Sequence, residues 1–165
     1  MIRLRALEPA DLKFLYTIEN DPDIWSLGTP AAPYSCYFLK QYIAMQSGEA
    51  FTNETLRLVI EVGQRPVGLV DLFNYDEIGR SAEVGIAILK SERGKGYSSE
   101  ALTLMETHAR DMLNIRMLYA RTPLYRAESS SSLFENSGYI HVATLPQWHF
   151  YKGGYEDLQV FQKIL

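Results

Sequence analysis

The sequence predicts one α/β (α+β) domain, a mixed and mostly antiparallel central sheet with helices on both faces, occupying residues 1–165. From Leu56 the hydrophobic period is two through three consecutive stretches joined by short polar turns, which forces neighbouring strands to pair antiparallel. A strand-helix-strand order follows over residues 81–121, and that order requires a crossover laid on the sheet. With 165 residues the chain fits a single domain of the usual size of about 100–200 residues.

Each element follows from its residues. Residues 2–6 alternate apolar and charged side chains as a short edge strand. Glu8, Pro9 and Asp11 suit a first helical turn, and Leu12, Leu15, Tyr16 and Glu19 continue at helical spacing with Phe14 and Ile18 widening the apolar stripe. Asp21-Pro22 ends this helix, because the residue before a proline is pushed out of the α region. Residues 28–33 form a stiff connector containing two prolines, and Ser35 then caps a helix carrying Phe38, Leu39, Tyr42 and Ile43.

Leu56, Leu58, Ile60 and Val62 face one way, and Arg57, Val59 and Glu61 the other. Residues 63–66 turn, 67–73 form a second strand, 76–80 turn again, and 81–89 form a third strand. A helix over residues 98–113 places Ala101, Leu102, Met105, Ala109 and Met112 on one side, and residues 115–121 return as a strand. A short helix over residues 128–136 stops at Gly138, and residues 139–144, extended to 151, pair with 155–163 around Gly153-Gly154.

Composition excludes several classes of function. Hydrophobic residues at 47% against 22% charged residues supply a packed core, so the chain is not a disordered one. The formal net charge of -4 leaves no surplus of cations for a phosphate backbone, which excludes nucleic acid and favours a cationic partner. Cys36 is the single cysteine, so there is neither an intramolecular disulfide nor a cysteine-based zinc site, and a lone thiol suits a reducing compartment. No run of apolar residues reaches the length of a signal peptide or the ~20 residues that cross a bilayer, so the chain reads as cytoplasmic, without a membrane partner.

The motif with chemical content is Arg93-Gly94-Lys95-Gly96-Tyr97-Ser98-Ser99, set between a strand and a helix. Backbone N–H groups at a helix N-terminus favour an anion, and glycines let a diphosphate approach the main chain. The spacing matches neither a phosphate-binding P-loop nor a dinucleotide fingerprint, and a plain surface turn is the alternative.

Ala82-Glu83-Val84-Gly85-Ile86, followed by this loop and by Glu100-Ala101-Leu102, resembles the central strand, pyrophosphate loop and helix of the GCN5-related N-acetyltransferase (GNAT) superfamily, in its spermidine and ribosomal-protein acetyltransferase branch. Ser130, Leu133-Phe134-Glu135 and Gly138-Tyr139 resemble that family's second motif, and the resemblance covers nearly the whole chain. It implies an acetyl-CoA-dependent N-acetyltransferase acting on a small-molecule or peptide amine, such as spermidine, with no metal and with homo-oligomers common among similar proteins. Arg93, Gly94, Lys95, Gly96, Tyr97, Ser98 and Ser99 would hold the pyrophosphate, with Ser130 beside them. The main chain of Ile86, Ala87 and Ile88 would bond the pantetheine arm like an added strand.

Three positions depart from the family pattern. Ala127 stands where Asn usually opens the second motif, Ser98 where Gly or Ala is usual, and Phe134 where a Tyr often protonates the departing sulfur. These keep open a non-catalytic acetyl-CoA-binding module, just as the branch leaves open a protein N-terminal acceptor.

An ammonium of pKa ~10.4 must lose a proton before it attacks a thioester. Glu83, mid-strand among apolar neighbours, is the candidate base, the alternatives being a side chain that faces solvent on a half-exposed strand or an ion pair to Arg80. Trp148, Phe150, Tyr151 and Tyr155 form either a cation–π wall for an amine or hairpin packing. Asp21, Asp23, Asp71, Asp76 and Glu77 attract a polyamine or are solvated loop charges, and His108, His141 and His149 read as structural.

Overall fold

The computed structural model describes residues 1–25, 32–46, 54–124 and 130–165. Strand β1 (Ile2–Arg5) is followed by a 3-10 turn, helix α1 (Leu12–Glu19) and a four-residue helix α2 (Pro22–Trp25). Helix α3 (Cys36–Ala44) starts at Ser35, whose hydroxyl accepts a bond from the Phe38 N–H. The meander β2 (Leu56–Val62), β3 (Arg65–Asp76) and β4 (Ser81–Ile88) leads to α4 (Tyr97–Leu113), β5 (Met117–Pro123), α5 (Ser132–Asn136) and the hairpin β6 (Ile140–Tyr151) and β7 (Gly154–Ile164).

All seven strands form one sheet in the order β1-β2-β3-β4-β5-β7-β6. Every neighbouring pair is antiparallel except β4 and β5, the pair joined by the α4 crossover. One face of the sheet packs Val70, Leu72, Val84 and Leu118 against Ala101, Leu102 and Met105 of α4 and Phe134 of α5. The opposite face packs Val59 and Leu69 against Leu15 and Ile18 of α1 and Leu39 and Ile43 of α3. Period-two alternation on β2 therefore feeds two cores, Ile60 one and Val59 the other.

Several expectations are corrected in detail. Helix α2 is an addition, a single turn opened by the proline that ends α1. Met112 is 73% exposed, while Glu106 takes an interior place on α4. Leu113 instead makes the packing contact at that end. The start of the short helix at Glu128 and most of the connector over 28–33 lie outside the described residues.

Candidate active site

Strands β4 and β5 pair at three positions, Ser81↔Met117, Ala82↔Leu118 and Glu83↔Tyr119. Beyond Glu83 they separate: β4 continues beside β3 as far as Gly68↔Ile88, and β5 beside β7 as far as Pro123↔Leu158. Residues 84–88 of β4 thus keep a backbone edge unladdered to β5, and Glu83 to Ile86 of this strand line a wedge-shaped cleft of about 450 Å³. An extended amide-bearing chain fits such an edge as an added strand.

The loop that bears the glycines follows β4 and leads into α4, and none of its residues lines the cleft. Gly94 and Gly96 have φ of +76° and +82°, and a Cβ at either would meet nothing within 4 Å. The glycines are required by backbone conformation, and the space above them is open. Gly96 begins α4 without a side-chain cap, and the Glu100 N–H reaches back to the Gly96 carbonyl at 3.3 Å. The N–H groups of Tyr97, Ser98 and Ser99 therefore point out of the helix end without a capping side chain, which suits a diphosphate. Arg93 donates from Nε to the Ile88 carbonyl at 3.1 Å and holds Asp21 and Asp23 at 3.3 and 3.4 Å. Lys95 pairs with Glu92 at 2.8 Å.

Glu83 is 4% exposed, as a mid-strand reading requires, but its partner is not Arg80. Arg121 Nε and Nη2 meet its two carboxylate oxygens at 2.8 Å each, and Asn74 Nδ2 donates to Oε2 at 2.9 Å. Arg80 turns instead to Asn114. A carboxylate has about four lone-pair positions, so these three bonds leave one for a proton from the cleft. Burial, and next the charge of Glu83, push the neighbouring Tyr119 phenol above its ordinary range.

On the α1 face of the sheet lies a second hollow of about 410 Å³. Phe73, Gly85 and Ile86 border both spaces. Gly85 sits close against Phe73, since a Cβ there would stand 3.2 Å from the Phe73 ring. Three carboxylates, Glu19, Glu54 and Asp71, line the hollow against one guanidinium, Arg57. Arg57 bonds Asp71 through Nε and Nη2 at 2.9 and 2.6 Å, reaches Glu19 through Nη1, and lies over the Tyr42 ring at 5.6 Å.

The remaining candidates divide. Ser130, Phe134, Trp148 and His149 line the cleft. Phe150 and Tyr155 pack edge-to-face on the hairpin at 5.3 Å, and Lys152 covers the Tyr151 ring, so these three serve the hairpin. Asp76 caps its own turn through the N–H groups of Ile78 and Gly79. His141 stacks on Phe161 and bonds Thr144. Among the described residues no three His, Cys, Asp or Glu side chains stand close enough to hold a metal, and no helix is long and apolar enough to cross a membrane. Ala127 lies outside the described residues. Glu19, Arg57 and Arg121 escaped the sequence reading; each is a polar residue whose partner is distant in sequence.

Comparison with known proteins agrees with this geometry. Residues 2–138 match the model of the acetyltransferase (GNAT) domain. A curated relative, the spermidine N(1)-acetyltransferase of Vibrio cholerae, is 27% identical over 159 residues, covering 96% of this chain and 90% of its own. The ribosomal-protein-serine acetyltransferase of Escherichia coli is 22% identical over 60% of this chain and 55% of its own length. A crystal structure of the V. cholerae spermidine N-acetyltransferase with CoA and spermine superposes with a TM-score of 0.84 at 27% identity, over 99% of this chain and 95% of that one. A dodecameric structure of the V. cholerae enzyme gives 0.83 at 26% identity, over 99% and 93%. Since the family model spans most of the chain, the chain belongs to the GNAT acetyltransferase family.

Proposed function

We propose that this chain is an acetyl-CoA-dependent N-acetyltransferase whose acceptor is a primary amine of a polyamine such as spermidine. The observation that carries the acceptor class is the second hollow, whose three carboxylates outnumber its one guanidinium beside the cleft. The spermidine acetyltransferases among its relatives support the same acceptor. Acetyl-CoA supplies an activated acetyl thioester.

The chain's own groups then have separate tasks. Arg93 and the main chain of residues 94–99 hold the diphosphate, and the β4 edge at Ile86, Ala87 and Ile88 orients the arm that follows. Ser130 lines the cleft opposite this edge. Gly85 leaves the gap through which the amine on the α1 face reaches the thioester. Glu83 takes the amine's proton on its remaining lone pair, while Arg121 and Asn74 fix the carboxylate. Phe134 makes the cleft wall apolar and donates no proton. The single thiol Cys36 is exposed, which supports a reducing, cytoplasmic location. The dodecameric relative supports a homo-oligomer.

Thiol release from acetyl-CoA, followed across a panel of spermidine, spermine, a short diamine and a peptide with a free N-terminus, tests the acceptor. Release should depend on added amine and be fastest with the polyamines. Preference for the peptide would establish the N-terminal acceptor instead, and amine-independent background throughout would leave a binding module.

A further inference from the structure

Thr122 has no task in the reading above, yet it stands at the cleft wall. It is 3% exposed, and among the described residues its hydroxyl has no hydrogen-bond partner. A buried hydroxyl without a partner is costly to folding, whereas valine has the same shape and no such cost. The position within the sheet gives the hydroxyl a purpose. Pairing of β4 with β5 stops at Glu83↔Tyr119, and three residues further along each strand lie Ile86 and Thr122, so the two positions stand on opposite walls of the wedge. By strand alternation it shares a face with Leu118 and Ala120, the face that carries Phe134. With the diphosphate held at the loop and the arm running back along β4, the sulfur arrives near the closed end of the wedge, between these two walls.

We propose that the Thr122 hydroxyl donates a hydrogen bond to the sulfur of coenzyme A as the thioester breaks. This rests on the acetyl-CoA reading. The amine nitrogen forms a bond to the acetyl carbon, the carbon–sulfur bond breaks, and its electron pair stays on sulfur. One proton leaves the ammonium for Glu83 before attack and a second leaves the nitrogen as the amide forms, each passing through Glu83 to water. Thr122 keeps its own proton and stabilises the thiolate through a charge-assisted bond, a service the neighbouring Phe134 ring cannot perform.

Calorimetric titration of the whole protein with CoA and with desulfo-CoA, below and above the thiol pKa of ~8.5, tests this without turnover. In wild type, CoA should gain about tenfold over desulfo-CoA between pH ~7 and pH ~9.5, as the thiolate forms. Thr122→Val should lose that gain and Thr122→Ser retain it. With spermidine, Thr122→Val should lower kcat about tenfold with KM for acetyl-CoA unchanged. A hydroxyl without this role would leave both ratios as they are. Equal CoA-to-desulfo-CoA ratios in wild type and Thr122→Val at both pH values would overturn the assignment while leaving the acetyl-CoA reading intact. Absence of CoA binding to wild type would overturn both.

Discussion

Glu83 is held by three donors, so the direction in which its carboxylate faces is set by Arg121 and Asn74 together. Replacing the carboxylate by an amide keeps the shape and removes the proposed base. Glu83→Gln should therefore bind acetyl-CoA as wild type does and transfer acetyl roughly 10²-fold more slowly near pH 7. The deficit should shrink as pH rises toward the amine pKa of ~10.4, because the acceptor then loses its proton unaided. A pH–rate profile measures this, and a wild-type rate near neutrality would assign the base to water or to another group. At the loop, Arg93→Ala should weaken acetyl-CoA binding by about tens-fold, as loss of a charge-assisted bond does, and Gly96→Val should be worse because φ of +82° strains any branched residue. Calorimetry with unchanged affinity in both variants would remove the diphosphate from this loop. That Glu83 is buried was legible from its apolar neighbours. Its partner was not, because Arg121 comes from a strand brought alongside by the crossover.

At the scale of elements, the hairpin of β2 and β3 shows why register escapes a sequence reading. The turn pairs Val62 with Arg65, and continuing that register would set Arg57 opposite Val70. A bulge between Ile60 and Glu61 shifts the pairing by one residue and brings Arg57 to Asp71. One extra residue thus creates the ion pair that lines the second hollow, and period-two alternation carries no sign of it. The helices were legible where caps and stripes are strong, as at Ser35 and along α4. Helix α5 is short and depends on tertiary support: Lys163 of β7 donates to Glu106 of α4 at 2.6 Å and to the Ser137 carbonyl just past the end of α5 at 2.7 Å. Lys163→Met should lower stability by up to about 3 kcal/mol, since it leaves the Glu106 carboxylate largely buried without a cation. Denaturant unfolding checks this, and an unchanged midpoint would show that α5 is held by apolar packing alone.

Across the whole molecule, carboxylates tie the edge of the sheet to the chain that crosses it. Arg5 on β1 grips Asp11 with two nitrogens, at 2.7 and 2.9 Å, and also bonds Glu61 on β2. The Arg5 guanidinium holds the Asp11 carboxyl below its ordinary range. A depressed carboxylate contributes stability above its unfolded pKa of ~3.9, and that contribution is lost as pH falls through the lower folded value. The melting temperature should accordingly fall steeply below pH ~4. Asp11→Asn should be less stable at pH 7 and should lose less on acidification; parallel melting curves for the two proteins would contradict this role. In the proposed function the seven-stranded sheet also divides the site, the cofactor's cleft meeting the acidic hollow in a gap at Phe73, Gly85 and Ile86, which border both. A single molecule in which spermine is joined through an acetyl linker to the sulfur of CoA can occupy both spaces only through that gap. Its affinity, measured by calorimetry against those of CoA and spermine separately, tests the joined site most directly. Binding about 10²-fold or more tighter than CoA alone is expected, because the second contact becomes intramolecular. Binding no tighter than CoA would show that the two spaces do not serve one reaction.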